Sequence, residues 1–387
     1  MAERISAVKT TFFGKGAIRM LIPELQKMRI RRAMMVTDSF LYQSGAAKRV
    51  GDVLSAAGVE YLVFYKVTPN PTIDLVNECI DAARKYQVGL LVALGGGSAI
   101  DTAKAVSIVT ANGGRVQDYE GVNKSAKAGI PIVAVNTTAG TGSECTTFYI
   151  VTDPVRHSKM TMVDPNCMVS IAVDDVDFMS SMPPKLTAAT GMDAMTHAVE
   201  AVLSTQASPV TDKDALWAVT TIHDYLPRAY ANGQDEEART MMAYAENVAG
   251  MAFSNAGLGM VHAMAHALGG HYNLPHGLCN AVLLPYVLEF NAAASGVDEK
   301  FSRIAAAMHL SGSSAAAEVI GEIRKMNGRL GIAPKLSELQ GVNPADFPAL
   351  SALALRDSCM TTNPVAPTRQ QVMETYQRAF DGREKNE

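Results

Sequence analysis

Four of the eight histidines in this chain of 387 residues lie close together in the stretch VHAMAHALGGHYNLPHG, and they are His262, His266, His271 and His276. Imidazole side chains can hold a metal ion or carry a proton. A histidine pair on one face of a helix is also compatible with ordinary packing, so this stretch alone leaves both interpretations open.

A carboxylate and one more imidazole extend the pattern. Asp193 and His197 are four residues apart in the apolar segment TGMDAMTHAVEA, as are His262 and His266 further on. Residues with this spacing lie on one face of a helix. A carboxylate buried without a partner costs several kcal/mol, and a cation would compensate it. With His276, expected at the start of a further helix, the set indicates a metal site.

The number of donors bears on which metal is bound. Catalytic zinc usually has three protein ligands and an open position, and a fourth protein ligand tends to close the site. Iron(II) accepts more ligands, so an aspartate and three histidines leave room for a substrate oxygen. We therefore expect Fe2+, with Zn2+ as the alternative. The remaining imidazole is then available to carry a proton.

The elements that position these residues fall into two classes. Short apolar runs at 32–38, 61–65, 89–97 and 130–138 alternate with helical patterns, which is typical of a parallel sheet covered by helices. After Pro183 and Pro184 the pattern is helical nearly to the end. The helix that carries His262 is expected to end at Gly269 and Gly270. We predict an α/β domain at 1–180 and an all-helical domain at 181–387.

The segment LVALGGGSAIDTAKA places three glycines and a serine between a strand and a helix expected from Ile100 onward. Glycines let the backbone approach a pyrophosphate, and the N–H groups at a helix start face its charge. The segment lacks the G-x-G-x-x-G pattern, so a tight turn without a ligand is the alternative.

Two further features favour a nucleotide site. Asp38 ends a predicted strand, where a carboxylate can accept hydrogen bonds from an adenosine ribose and disfavour a 2′-phosphate. Helix capping is the ordinary alternative for such a residue. The polar loop NTTAGTGSE, at 136–144, follows another strand. Its ordinary alternative is a capped loop.

Charge and cysteine content restrict the partners and the compartment. The net charge of −4 and the pI of about 6.1 make nucleic acid and anionic membranes poor candidates, so a small molecule is expected. Five widely spaced cysteines show no disulfide framework and no thiolate zinc spacing. Neither a signal peptide nor a membrane-spanning run is evident, and we expect a cytoplasmic protein.

The motifs together resemble the iron-containing (group III) alcohol dehydrogenases, through GGGSAIDTAK, NTTAGTGSE, LTAATGMDAMTHAVEA, GMAFSNAGLGMVHAMAHALGG and NLPHGLCNAVLLP. Among that family's members, those that reduce lactaldehyde or oxidise methanol and 1,3-propanediol look most similar. The resemblance implies a Rossmann-like domain, a helical metal domain of the dehydroquinate synthase-like fold, and an active site in the cleft between them. It also implies a homodimer or larger homo-oligomer.

The resemblance assigns roles to individual residues. Iron would be held by Asp193, His197, His262 and His276, and His266 would carry the proton. NAD would be held by Asp38, Asn70, Gly96, Gly97, Ser98, Thr137, Thr138 and Lys159. His271 has no assigned role. Phe253, Met260 and Cys359 are weak candidates for the wall of a substrate pocket, because such residues are usually core.

The sequence departs from the family pattern at three places. Positions 99 and 100 are Ala-Ile where many relatives have Pro followed by His or Gln. Tyr286 stands where His is common, and no Arg follows Asn363 and Pro364. None of the departures removes a proposed metal ligand, but the last two leave substrate preference and the C-terminal contacts open.

The leading hypothesis is an NAD-dependent dehydrogenase that interconverts small primary alcohols or short diols and their aldehydes by hydride transfer. One alternative is an NAD- and metal-dependent lyase or synthase of the dehydroquinate synthase type. That chemistry needs several Lys or Arg near the substrate, and the metal region has few. A non-enzymatic module that binds metal or nucleotide is the other alternative.

Overall fold

The computed structural model of the protein describes residues 4–156 and 158–383. This part of the chain forms two compact units. One unit spans Ile5–Ser181, and the other consists of residues from Met182 onward together with Arg4.

The first unit carries all the strands of the described residues, and they are β1 (Thr11–Phe13), β2 (Arg32–Asp38), β3 (Glu60–Val67), β4 (Leu90–Gly95), β5 (Gly121–Val122), β6 (Ile132–Asn136), β7 (Phe148–Asp153), β8 (Ser158–Val163) and β9 (Ile171–Asp174). Six of them form a wholly parallel sheet in the order β1-β9-β6-β4-β2-β3. The other three form a small sheet in which β7 and β8 are antiparallel.

The large sheet is buried on both faces, as its continuous apolar strands predict. All six residues of β4 are buried. Leu91 and Ala93 pack into one apolar cluster, and Leu90 and Val92 pack into another. Successive side chains of a strand point to opposite faces, so the two clusters lie on the two sides of the sheet.

Among its described residues the first unit also has five α-helices, which are α1 (Leu21–Met28), α2 (Ser39–Gln43), α3 (Ala46–Ala56), α4 (Ile73–Tyr86) and α5 (Gly97–Asn112). Those of the second unit are α6 (Pro184–Leu203), α7 (Pro209–Ala231), α8 (Glu236–Ala256), α9 (Met260–Tyr272), α10 (His276–Asn291), α11 (Asp298–Ala307), α12 (Ala315–Arg329), α13 (Phe347–Ala354) and α14 (Arg369–Asp381). Within the described ranges, no helix has both the length and the apolar composition that crossing a bilayer requires.

The predicted fold class, a parallel α/β part followed by an all-helical part, is confirmed. Two helix boundaries were predicted wrongly. Helix α5 begins at Gly97 rather than at Ile100. Helix α9 continues through Gly269 and Gly270 to Tyr272, because an interior glycine costs a helix only about 1 kcal/mol.

The end of α9 is set further along the chain. Asn273 adopts the left-handed conformation, with φ 54°, that commonly terminates a helix. His276 then begins α10, as predicted. The β7–β8 hairpin is an addition, because no strand was predicted there.

Candidate functional site

The four predicted metal ligands lie together in the helical unit. Asp193 and His197 are one turn apart on α6, His262 is in the first turn of α9, and His276 is the first residue of α10. One donor atom from each lies within 4.8 Å of the others. The first three are almost wholly buried, and the His276 side chain is 23% exposed. Three helices therefore bring one carboxylate and three imidazoles to a single point.

The orientation of His262 is fixed by Glu200, a buried residue of α6 that the sequence analysis did not identify. Glu200 Oε2 lies 2.6 Å from His262 Nδ1, and Oε1 accepts a hydrogen bond of 2.7 Å from the Val261 backbone N–H. Burial raises the pKa of Glu200 to about 8, although hydrogen bonds from the backbone N–H groups of Val261, Gly259 and His262 oppose the rise. Since Nδ1 faces Glu200, Nε2 of His262 faces the other ligands.

Asn280 of α10, also missed by the sequence analysis, contacts three of the four predicted ligands. Its Nδ2 lies 2.6 Å from Asp193 Oδ1, 3.0 Å from His262 Nε2 and 3.2 Å from His276 Nε2. Its Oδ1 is buried, with no hydrogen-bond partner among the described atoms. One polar group in contact with three ligands shows that their donor atoms converge. A divalent cation fits this convergence and this donor set.

His266, the predicted proton carrier, lies one turn after His262 on α9 and stacks on His276 with ring centroids 5.1 Å apart. Its Nδ1 is 2.8 Å from Asp357 Oδ2. Burial acts to raise the pKa of Asp357. The charge of His266 and its hydrogen bond to the carboxylate outweigh burial, so the pKa of Asp357 is lowered. An ionised Asp357 accepts from Nδ1–H, which leaves the proton-accepting position of a neutral His266 at Nε2.

The structure also places the three residues that are candidates for the wall of a substrate pocket. Phe253 stacks on His197 with centroids 4.2 Å apart, so it lies against a predicted ligand. Cys359 is buried beside Asp357, whose Oδ1 accepts from the Cys359 backbone N–H at 2.8 Å. Met260 is buried at the start of α9. Their role as a substrate wall stays a prediction.

Tyr286, at the position that departs from the family pattern, is buried on α10, and its hydroxyl donates to the Pro334 carbonyl at 2.9 Å. Where the family's Arg after Asn363 and Pro364 is missing, the Asn363 side-chain amide donates to the Val365 carbonyl at 2.8 Å. His271, which was given no role, is partly exposed, with Nε2 3.6 Å from Asp346 Oδ2. Tyr286 therefore supports local packing, and His271 belongs to the surface.

The glycine turn lies between β4 and α5 in the parallel-sheet unit. Gly96 is the N-cap of α5, so Gly97 and Ser98 are in its first turn, where backbone N–H groups lack helical acceptors. A Cβ on Gly96 would lie 2.6 Å from Thr138 Oγ1, and one on Gly97 would lie 3.0 Å from Thr141 Cγ2. A side chain at Gly96 would therefore displace Thr138, and one at Gly97 would crowd Thr141 in the loop after β6.

Most other predicted nucleotide contacts lie at neighbouring strand ends. Strands β6, β4, β2 and β3 are adjacent in the sheet and parallel, so their carboxyl ends share one edge. Thr137 and Thr138 follow β6, Asp38 ends β2, and Asn70 lies in the turn after β3 with φ 55°. Ligands bind parallel sheets at this edge.

Asp38 has a structural role already. Its Oδ1 accepts a hydrogen bond of 2.8 Å from the Leu41 backbone N–H and caps α2. This is the ordinary alternative noted for Asp38, and a contact to ribose stays a prediction.

Lys159 is placed by the unpredicted hairpin, since it lies on β8 opposite Thr152 of β7. The Thr152 backbone N–H donates to the Pro71 carbonyl at 2.7 Å, which brings the hairpin to the Asn70 turn. Asp101 of α5 accepts from Ser143 Oγ at 2.6 Å and from the Ile150 N–H at 3.0 Å. The hairpin, the polar loop and α5 are therefore joined beside the glycine turn.

Comparison with known families shows which family the chain belongs to. A family model described as iron-containing alcohol dehydrogenase matches residues 9–176. A second, described as Fe-containing alcohol dehydrogenase family, C-terminal, matches residues 187–380. The chain belongs to the iron-containing alcohol dehydrogenase family. The resemblance seen in the motifs is thus confirmed, and the chain is an oxidoreductase of the alcohol dehydrogenase type.

Individual members of the family match nearly the whole chain. Alcohol dehydrogenase 4 of Schizosaccharomyces pombe is 43% identical over 369 residues, 95% of this chain and 87% of that protein. The NAD-dependent methanol dehydrogenase of Bacillus methanolicus is 41% identical over 372 residues, 95% of this chain and 97% of that protein. A crystal structure of 1,3-propanediol oxidoreductase matches with a TM-score of 0.94 and 39% identity, covering 98% of this chain and 100% of that one. The lyase alternative has no support among these relatives.

Proposed function

We propose that this alcohol dehydrogenase uses NAD and Fe2+ to interconvert small primary alcohols or short diols and their aldehydes. The observation that carries the proposal is the buried convergence of Asp193, His197, His262 and His276, with one donor atom from each within 4.8 Å of the others. In this proposal these four residues hold the metal. Four protein ligands favour Fe2+ over Zn2+, because zinc with four protein ligands has no position left for substrate.

Iron(II), when bound, supplies a Lewis acid for the alcohol or aldehyde oxygen, and NAD supplies the hydride acceptor. His266 accepts the alcohol proton at Nε2 during oxidation and returns it during reduction. Asp357 holds the opposite nitrogen at 2.8 Å, which keeps the ring orientation and the protonation pattern suited to this transfer. Glu200 fixes the orientation of His262, with Oε2 2.6 Å from Nδ1.

NAD is proposed to bind at the carboxyl edge of the parallel sheet. Gly96, Gly97 and Ser98 would hold the pyrophosphate at the start of α5. Asp38 would meet the adenosine ribose, and the remaining contacts would come from Asn70, Thr137, Thr138 and Lys159. The NAD-dependent relative and the shared sheet edge support this assignment. The charge of Asp38 favours NAD over NADP.

The substrate class is inferred from two observations. The relatives described above include a methanol dehydrogenase and a 1,3-propanediol oxidoreductase. The apolar ring of Phe253 stacks on His197, one of the proposed ligands. Both observations favour a short, uncharged alcohol.

We also propose a cytoplasmic homodimer or larger homo-oligomer. All five cysteines are buried, and no disulfide joins them in the described part of the chain, where all five lie. A reducing compartment suits this state. Val210 and Trp217 of α7 are 45% and 42% exposed and are candidates for a subunit contact. Sedimentation equilibrium measures the oligomer directly, and a monomer at micromolar concentration would contradict this part of the proposal.

The function is tested by reconstitution. Metal-free protein is loaded separately with Fe2+ and Zn2+ and assayed with NAD(H) and a panel of short alcohols, diols and aldehydes at 340 nm. We expect NADH formation with the iron form and none after chelation. Full activity of the metal-free protein would contradict the proposal, as would turnover of a phosphorylated sugar without net NADH.

A further inference from the structure

A second group of histidine and carboxylate side chains lies in the helical unit, outside the site described above. His223 and Asp224 are on α7, and His309 lies just after α11. One donor atom from each lies within 4.8 Å of the others. Their side chains are 18%, 41% and 60% exposed, respectively, so a cation can reach them from solvent.

The spacing of the donors suits one small metal ion. Asp224 Oδ1 is 3.2 Å from His223 Nδ1 and 3.2 Å from His309 Nε2. Ligands of tetrahedral zinc, at about 2.0–2.2 Å from the metal, lie roughly 3.3–3.6 Å apart. We propose that His223, Asp224 and His309 form a second site for a divalent cation of the zinc class, with water completing the coordination.

A second carboxylate prepares His223 for this role. His223 Nε2 lies 3.3 Å from Glu322 Oε1, an oxygen that also accepts a hydrogen bond from Arg329 at 2.5 Å. Burial acts to raise the pKa of Glu322, but Arg329 and His223 outweigh it and lower the pKa. Metal-binding histidines commonly donate their other ring N–H to such a carboxylate. Nδ1 of His223 therefore keeps its lone pair towards Asp224 and the proposed cation.

The site would join two parts of the helical unit. Asp224 and His223 belong to the long helix α7. His309 lies in a turn and has a φ of 59°, a positive backbone angle that is uncommon for residues other than glycine. A cation held by both would tie this turn to α7. Its effect would be on stability rather than on the reaction, because none of the three residues belongs to the proposed catalytic machinery.

The test is a difference measurement on full-length, iron-loaded enzyme. Zinc is titrated calorimetrically into the wild type and into the His309→Ala and Asp224→Asn variants. Zinc bound at other sites is common to all three proteins, so it cancels when the amounts bound are compared. We expect the wild type to bind one more zinc ion than either variant and to gain thermal stability from it. NADH-linked activity of the iron-loaded variants should equal that of the wild type.

Two further variants sharpen the test. His271→Ala is the matched control, because His271 is a partly exposed histidine beside a carboxylate, Asp346, but outside the cluster. It should bind zinc as the wild type does. Glu322→Gln should weaken the extra site about 10–100-fold, the usual effect of removing a partner of a metal ligand. Equal zinc uptake by the wild type and His309→Ala would overturn the proposal. So would an equal loss of bound zinc in His309→Ala and His271→Ala.

Discussion

The cluster of proposed metal ligands and the glycine turn are built in opposite ways. The cluster depends on side chains that are present, since four donor atoms from three helices lie within 4.8 Å of one another. The glycine turn depends on side chains that are missing, since a Cβ on Gly96 would lie 2.6 Å from Thr138 Oγ1. The first region is therefore sensitive to the loss of atoms, and the second is sensitive to their addition.

The largest effect is expected from removing a ligand. His262→Ala should lose the bound iron and lower NADH-linked turnover at least about 10³-fold, because a Lewis acid supplies several kcal/mol of transition-state stabilisation. Metal analysis and steady-state kinetics measure both effects. His271→Ala should keep both properties. A His262→Ala protein that retains stoichiometric iron would remove His262 from the ligand set.

A smaller effect in the same region is expected from Asp357→Asn. This change removes the charge that orients His266 but leaves all four proposed ligands in place, so kcat should fall about 10²-fold, within the range of general acid–base catalysis. Iron content and the KM for NAD should stay unchanged. Loss of iron in step with kcat would instead show that Asp357 only supports the metal cluster.

In the glycine turn, we expect a single added methyl group to weaken NAD binding. Gly96→Ala forces a contact with Thr138, and overpacking of this kind costs about 1–3 kcal/mol, so NAD affinity should fall about tenfold or more. Fluorescence titration of NADH measures the affinity, and iron content should not change. Gly328→Ala on α12 is the control, because its Cβ meets nothing within 4 Å. Equal NADH affinity in both variants would show that the turn does not touch the dinucleotide.

The smallest effect separates two roles of Asp38. Asn caps helices as well as Asp does, so Asp38→Asn preserves the hydrogen bond to the Leu41 N–H and removes only the charge. The ratio of kcat/KM for NADP to that for NAD should rise about fivefold, the value of roughly 1 kcal/mol for one charge near solvent. An unchanged ratio would mean that Asp38 is a helix cap and nothing more.

The two regions also differ in how far the sequence predicted them. The metal ligands could be identified because Asp193/His197 and the histidines of α9 follow the local spacing of a helix, which survives in the sequence. Their partners could not, because the contacts of Glu200, Asn280 and Asp357 join residues 62, 87 and 91 positions apart. Only the packing of the helices determines such pairs.

In the parallel-sheet unit, most of the buried strands were predicted, but the fully buried strand β9 and the details of the turns were not. Continuous apolar runs marked β2, β4 and β6. The polar residues of β8, Ser158–Val163, gave no such signal, so the hairpin that carries Lys159 was missed. The start of α5 was misplaced because three consecutive glycines do not show which of them is already helical.

The placement of all four proposed ligands in the helical unit has a consequence for how the enzyme is made. Ribosomes synthesise proteins from the N-terminus, and domains commonly fold in that order. The parallel-sheet unit, which ends at Ser181, is therefore complete before any of the four side chains leaves the ribosome. If these four residues hold iron as proposed, it would be captured only late, once His276 has emerged and α10 has packed against α6. Maturation would thus be limited by helix assembly and iron supply, with the other half of the polypeptide already folded.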